Sequence, residues 1–436
     1  MAGLIDTQIR AGESLAPTKL LRRYVLGILL VVYTFNFIDR QILSILLEPI
    51  KKDLMLSDQA LGFLAGFAFA AFYATLGIPM ALWADRGNRR NLITVSLALW
   101  SFMTVACGLA QNFVHLAVAR IGVGIGEAGC SPPAHSIIAD YYPPHRRATA
   151  IGIYALGIPL GVMFGLFIGG RMNEFFGWRV AFFLVGVPGL ALALLVRFTV
   201  PEPRRGLSDA RIDRGERPGI VETARFLRRR PAFVHLSFGA ALACFIGYGF
   251  IVWFPSFLIR SHHMKASDVG LWLGLLIGVV GGVSMYTGGV LADRFSTRDI
   301  RWSAWIVTGA NLLGLPFGIA AYLVNDPYWA LILFIPPVVA ANFWQATTLA
   351  QAQSLVRLRM RSQTSAILLF IANIIGLGAG PWAIGAVSDL LAPRYGADSL
   401  RYSLLGFSVI GLWVAWHFYQ GGKHLRTDLA RADDPE

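Results

Sequence analysis

Four ionisable residues stand inside long apolar stretches of the chain: Asp39 and Arg40 in the run from Tyr24 to Leu47, and Arg120 and Glu127 in the run centred near residue 125. Asn36, Asp39 and Arg40 recur at i, i+3 and i+4 and share one helical face, while Arg120 and Glu127, seven apart, share a face two turns long. If the two runs are antiparallel neighbours, Asp39 and Arg120 each lie roughly 10 Å from the same end at a rise of about 1.5 Å per residue. Two stripes of opposite charge then face each other. One reading makes these residues buried ion pairs that lock two helices together. The other makes Asp39 or Glu127 a group that takes up a proton, while Arg40 and Arg120 hold an anion or the deprotonated acid. Burial disfavours a charged carboxylate and a neighbouring Arg favours it, so the residues alone leave the balance open. Glu127, between Gly126 and Ala128, is the better proton carrier by this logic, because Asp39 is followed directly by Arg40.

The elements that hold these residues follow from composition. The chain has 436 residues, 56% hydrophobic, 12% aromatic and only 14% charged, with a mean hydropathy of +0.58. Those values exclude an ordinary soluble domain and a disordered chain. The first apolar run is too long for a signal-peptide core, lacks a clear cleavage site, and reads as a retained first membrane span. Further runs centre near residues 70, 100, 125, 160, 187, 245, 280, 312, 338, 374 and 410, giving an all-α membrane protein of twelve transmembrane helices. At about 20 residues a crossing, the remaining length suffices for loops and tails. Cys107, Cys130 and Cys244 fall in apolar runs without metal-ligand spacing, so neither a disulfide framework nor a metal site is expected.

Most of the 38 Lys and Arg fall on one side when the N-terminus is placed in the cytoplasm, so both termini are expected there. The net charge of +13 is then loop charge rather than a nucleic-acid footprint. The longest loop, Arg197 to Arg230, is rich in Arg and carries a short amphipathic segment near Ile220 to Leu227. It divides the chain into an N-terminal bundle (1–200), a basic cytoplasmic linker (201–230) and a C-terminal bundle with its tail (231–436). An internal repeat supports the division: Ala84-Asp85-Arg86 after span two returns as Ala292-Asp293-Arg294 after span eight, and Gly157-Ile158-Pro159 is echoed by Gly378-Ala379-Gly380-Pro381.

The turn after span two resembles the G-x-x-x-D-R-x-G-R-R pattern of the major facilitator superfamily, with Ala81 and Asn88 in place of two glycines. Asn36-Phe37-Ile38-Asp39-Arg40, Arg120-Ile121-Gly122-Val123-Gly124-Ile125-Gly126-Glu127-Ala128 and Gly177-Trp178-Arg179-Val180-Ala181-Phe182 are similar to the spinster family within it. The resemblance implies two pseudo-symmetric six-helix bundles rocking around a central cavity lined by spans one, four, seven and ten. It also implies a proton-coupled transporter of an amphipathic anionic solute such as a lysophospholipid or sphingoid phosphate. A proton-coupled transporter of drugs or small organic anions is the alternative.

On that reading Asp39 and Glu127 couple the proton, and Asn36, Arg40 and Arg120 meet the cargo's polar end. Spans seven and ten, without charges in their centres, offer Tyr248, Trp253, Asn342, Trp344 and Gln345 to its apolar part. Asp85, capping span eleven, and Arg86 and Arg89, pairing with Asp140, would form a cytoplasmic gate, with Asp293 and Arg294 at the repeat position. Because the position matching Asp140 is Gln353, a symmetrical latch there is not expected. No cofactor beyond the coupling proton, no nucleic acid and a monomer among membrane lipids complete the expectation, in a bacterial inner membrane. An enzyme is not expected, since the chain lacks a His-Glu-x-x-His pair, a Gly-x-Ser-x-Gly elbow and a P-loop.

Overall fold

The computed structural model describes residues 18–204, 219–357 and 360–431, and among them it contains helices and turns without a strand. The first helix, α1 (Lys19–Leu54), starts at Thr18, whose side chain accepts from the Leu21 amide at 3.2 Å, and stops at Met55 in the left-handed conformation. Its 36 residues make roughly 54 Å of helix, well beyond the apolar run that announced it. The extension is stable because its polar residues are paired: Glu48 with Arg260 and Lys51 with Asp58. Asp39 accordingly lies about 22 Å from that end of the helix, at mid-depth, and not the roughly 10 Å expected from the run.

Among the described residues, eleven stretches are long and apolar enough to cross a membrane, and the longest, residues 361–430, turns back at Gly396 (φ +55), where a side chain would be strained. Twelve passes result. After α1 come α2 (Asp58–Ala65 continuing as Phe67–Arg86), α3 (Arg89–Gly108), α4 (Phe113–Ala128 and Ser131–Tyr141), α5 (Pro144–Ala155 and Gly157–Phe176) and α6 (Trp178–Thr199). The second half has α7 (Pro231–His262), α8 (Ala266–Leu275 and Gly281–Ser296), α9 (Trp302–Leu323), α10 (Pro327–Leu333 and Ile335–Ser354), α11 (Arg361–Ala372 and Gly380–Tyr395) and α12 (Ser399–Ser408 and Ile410–Ala430). The two segments of α8 are joined by a π turn, Leu276–Val280, and those of α11 by another, Asn373–Ala379. Several helix breaks fall where a proline opens the next segment, at Pro132-Pro133, Pro336-Pro337 and Pro381, because proline lacks the amide that would continue the ladder. With α1 and α12 antiparallel across an even number of passes, both chain ends share one face, here the terminus face.

The halves are built alike at that face. In the first, Arg89 opening α3 donates to Glu202 beyond α6 at 2.8 Å, and the Arg90 amide donates to the same carboxylate. In the second, Asp299 before α9 pairs with Arg426 of α12 at 2.9 Å. The Arg301 guanidinium beside Asp299 holds its carboxyl below the usual range. The tie recurs with its charges exchanged. Of the linker, residues 205–218 lie outside the described residues; the amphipathic segment forms a helix, Ile220–Arg228, opened by Glu222 accepting from the Gly219 amide. Its buried residues Thr223, Phe226 and Leu227 pack on the second half, with the Thr223 hydroxyl donating to Gln363 of α11.

Between the halves, α2 packs on α11, α5 on α8, and α1 on α7. These contacts need bare backbone. A Cβ on Gly62 would stand 2.4 Å from the Pro381 carbonyl oxygen, and that oxygen is already the acceptor of the Trp253 indole N–H at 2.7 Å. Gly62→Ala is therefore expected to force α2 from α11 and destabilise the protein by about 1–3 kcal/mol. Gly77→Ala, with nothing within 4 Å of its Cβ, should cost nothing. Thermal unfolding of the two variants in detergent compares them directly.

Candidate functional site

At mid-depth, α1 and α4 bring all four buried ionisable residues into one cluster. The Arg40 Nε donates to Glu127 Oε2 at 2.6 Å, and the guanidinium lies 4.4 Å from the Tyr73 ring centroid and 4.9 Å from those of Phe37 and Phe69. Arg120 also faces Phe69, at 5.3 Å, with its Nε 3.5 Å from the Leu64 carbonyl. Asp39 is 2% exposed and neither carboxylate oxygen has a hydrogen-bond partner; Glu127 Oε1 and Asn36 Oδ1 are buried without one as well. Adjacency in sequence misjudged these acids. Successive side chains on a helix diverge by about 100°, so Arg40 reaches Glu127 on the other helix and turns away from Asp39. Glu127 is the carboxyl that a guanidinium hydrogen-bonds, whereas Asp39 has Arg120 near it by charge and Thr104 and Trp100 beside it.

Such a cluster can exchange a proton for an ion pair. Protonating Glu127 removes the anionic partner of Arg40 and leaves the guanidinium against aromatic faces, which hold a cation more weakly than a carboxylate does. The guanidinium then has capacity for another anion.

Beside the cluster is a cavity with about 1070 Å³ of empty space, its open mouth included. Its walls come from α1, α5, α7, α8 and α10, and Tyr248, Asn342, Trp344 and Gln345 are among its lining. Most of the remaining lining is apolar, with Phe250, Phe254, Met285 and Phe334 prominent. Four expected contacts lie elsewhere, Arg40 among them, behind the Phe37 ring. Trp253 is fully buried, its indole spent on Pro381 in the packing of α7 against α11. Asn36 and Arg120, 1% and 2% exposed, are enclosed between α1, α2 and α4 and do not reach the cavity. Phe37 does: its ring lies under Arg40 and also lines the cavity, so the ion pair and the apolar space share a wall. Phe37 and Gln41 were not singled out by their types; their i, i+4 spacing beside Arg40 is the signal that marks them.

At the terminus face, Arg89 is the residue that engages Asp140, in a buried pair that also reaches Ser136 and the Pro203 carbonyl. Arg86 is exposed, and Asp293 and Arg294 are exposed at the repeat position. Gln353 donates to Ser365 at 2.8 Å, so the second half has a neutral contact where the first has an ion pair. Asp85 lies at the end of α2, with its side chain outside the described residues.

Residues 29–381 match the description of the Major Facilitator Superfamily. The chain belongs to the major facilitator superfamily. Its members here include an MFS-type efflux pump of Mycolicibacterium smegmatis, 36% identical over 87% of this chain and 87% of the pump. The human protein spinster homolog 1 is 25% identical over 94% of this chain and 82% of its own length. Among solved structures, a bacterial homologue of the human lysosomal transporter Spinster, inward-facing and unoccupied, superposes with a TM-score of 0.86 at 33% identity, covering 94% of this chain and 99% of the other. This superfamily chain is thus a spinster-like transporter, not an enzyme, with the all-helical major facilitator fold.

One feature of this superfamily member had no counterpart in the sequence reading. At the face opposite the termini, Arg260 of α7 donates to Glu48 of α1 at 2.7 Å and makes a two-toothed contact with Asp58 of α2 at 2.6 and 2.7 Å. Lys51 and Ser388 complete Asp58, while the Asp389 carboxylate accepts from the Asp58 and Gln59 amides at the start of α2. The residues come from both halves and lie near span ends, where charges pass for loop polarity. Their burial makes them a clamp. Removing one partner of a buried pair costs roughly 3–5 kcal/mol, so Arg260→Ala should favour opening of this face about a hundredfold or more. Maleimide labelling of a cysteine at buried Ser388 is the readout, expected to be slow with Arg260 present and fast in the Arg260→Ala background.

Proposed function

We propose that this transporter works by alternating access, couples transport to protons through Glu127 and Asp39, and carries an amphipathic anionic solute of the lysophospholipid or sphingoid-phosphate kind. The observation that carries the reading is the shared wall: Phe37 borders both an apolar cavity and an Arg whose carboxylate partner can be neutralised by a proton. An acyl chain suits the Phe, Ile and Met lining, and an anionic headgroup suits Arg40 once Glu127 is protonated. The inter-half ion pairs described at the clamp close the face opposite the termini, and the basic linker and loops support a cytoplasmic terminus face. The chain then rests facing inward, in the conformation named for the bacterial spinster homologue. A bacterial inner membrane, with both termini inside, fits this orientation.

The relative named an efflux pump favours a second reading in which the same machinery exports drugs or small organic anions. Both readings meet in one experiment. Proteoliposomes are loaded with labelled lysophospholipid outside, with and without an imposed pH gradient, against empty vesicles. Saturable, gradient-driven uptake supports the lipid reading, and no uptake above leak hands precedence to the organic-anion reading. Within the lipid reading, Glu127→Gln is expected to lose gradient-driven accumulation to the level of empty vesicles while retaining exchange of labelled for unlabelled cargo at equal pH. Normal coupled transport by Glu127→Gln would remove Glu127 from the proton route.

A further inference from the structure

Glu127 continues down α4 into a polar stripe. Ser131 and His135 follow it at four-residue steps, on one face of a helix whose ladder passes the break at Gly129 through the Cys130 amide donating to the Glu127 carbonyl. Exposure rises along the stripe: Glu127 is 1% exposed, Ser131 half-buried and His135 exposed. The eight residues rise about 12 Å toward the terminus face. α4 packs against α1, α2, α3 and α5.

The groups around His135 are aromatic and hydroxylic. Its ring meets Tyr154 of α5 edge-on at 5.3 Å; Tyr154 stacks on Tyr33 of α1 at 4.3 Å; Tyr33 meets Phe37, the residue under Arg40, at 5.2 Å. Tyr154 is 1% exposed, with Ser131 beside its hydroxyl. Ser131 stands between the two tyrosines and the stripe. Of the titratable and charged groups, Tyr154 meets His135 directly, with Tyr33, Cys130, Glu127 and Arg40 further along the same path. Glu127 Oε1, the oxygen that Arg40 leaves unused, is without a partner.

We propose that His135 is a proton-transfer residue connecting the buried Glu127 carboxyl to water at the terminus face, by way of Ser131 and the Tyr154 hydroxyl. The inference rests on the proton-coupled reading above and adds the route. With the cavity open to this face, the O–H bond at Glu127 Oε1 breaks, a hydroxyl accepts that proton as it gives its own onward, and an N–H bond forms on the His135 imidazole. The imidazolium returns the proton to water. Glu127 is left as the carboxylate that Arg40 holds. Imidazole suits the last step because it exchanges protons at neutral pH, which neither Ser nor Tyr does alone.

The test uses full-length protein in proteoliposomes, comparing wild type, His135→Asn and His135→Gln for uptake of labelled lysophospholipid driven by a pH gradient and for exchange at equal pH. Both variants are expected to slow driven uptake about tenfold, leave exchange at the wild-type rate, and recover part of the driven rate with added imidazole. Driven uptake at the wild-type rate with an unchanged pH profile in both variants would overturn the route. Equal loss of driven uptake and exchange would overturn it too, by assigning His135 to cargo binding or folding. A wild-type protein that transports without responding to the gradient would instead fail the proton-coupled reading itself, and is visible before any variant is made.

Discussion

A guanidinium held at mid-depth against a single carboxylate governs the rest of the architecture. Arg40 and Glu127 are tolerable in a water-poor interior because they neutralise each other, and because three aromatic rings fill the space that water would take. That arrangement requires α1 and α4 to run side by side with their polar faces in register. It also sets the chemistry next door, since the cavity needs no charge of its own while Arg40 stands behind Phe37.

The second constraint is closure at the far face. There the two halves touch through backbone at Gly62 and Pro381 and through the Arg260 clamp, so opening that face means giving up dense packing and buried ion pairs together. Those two losses are of different kinds, one insensitive to charge and the other set by it. A conformational equilibrium balanced this way can be shifted from a distance without a direct path, wherever a second site biases the same movement.

Much of this was legible in the chain. The apolar runs announced the spans, the turn motif and its repeat announced the halves, and the rare ionisable residues announced the cluster, since charge within a span is costly enough to be informative. The aromatic and amide residues of α7 and α10 marked the cavity for four of five positions. The misses have physical causes. Adjacency of Asp39 and Arg40 suggested mutual influence, but helical geometry separates them. Trp253 had the right type for a cargo contact and the wrong rotation about α7. The clamp was hidden because Glu48, Lys51, Asp58 and Arg260 sit where solvent-facing charge is ordinary; only the approach of the other half buries them. Partners more than 200 residues apart leave no local pattern to read.

The exchanged polarity of the two terminus-face ties bears on how such a chain assembles. Two homologous halves emerging in succession offer each helix two similar docking partners. Were the end of α12 to settle where the end of α6 belongs, Arg426 would meet Arg89; in the reverse error Glu202 would meet Asp299. Like charges would oppose each other in both, whereas the correct pairings join opposites. The reversal acts as a check on kinship, allowing duplicated sequences to share a fold while refusing one another's helices.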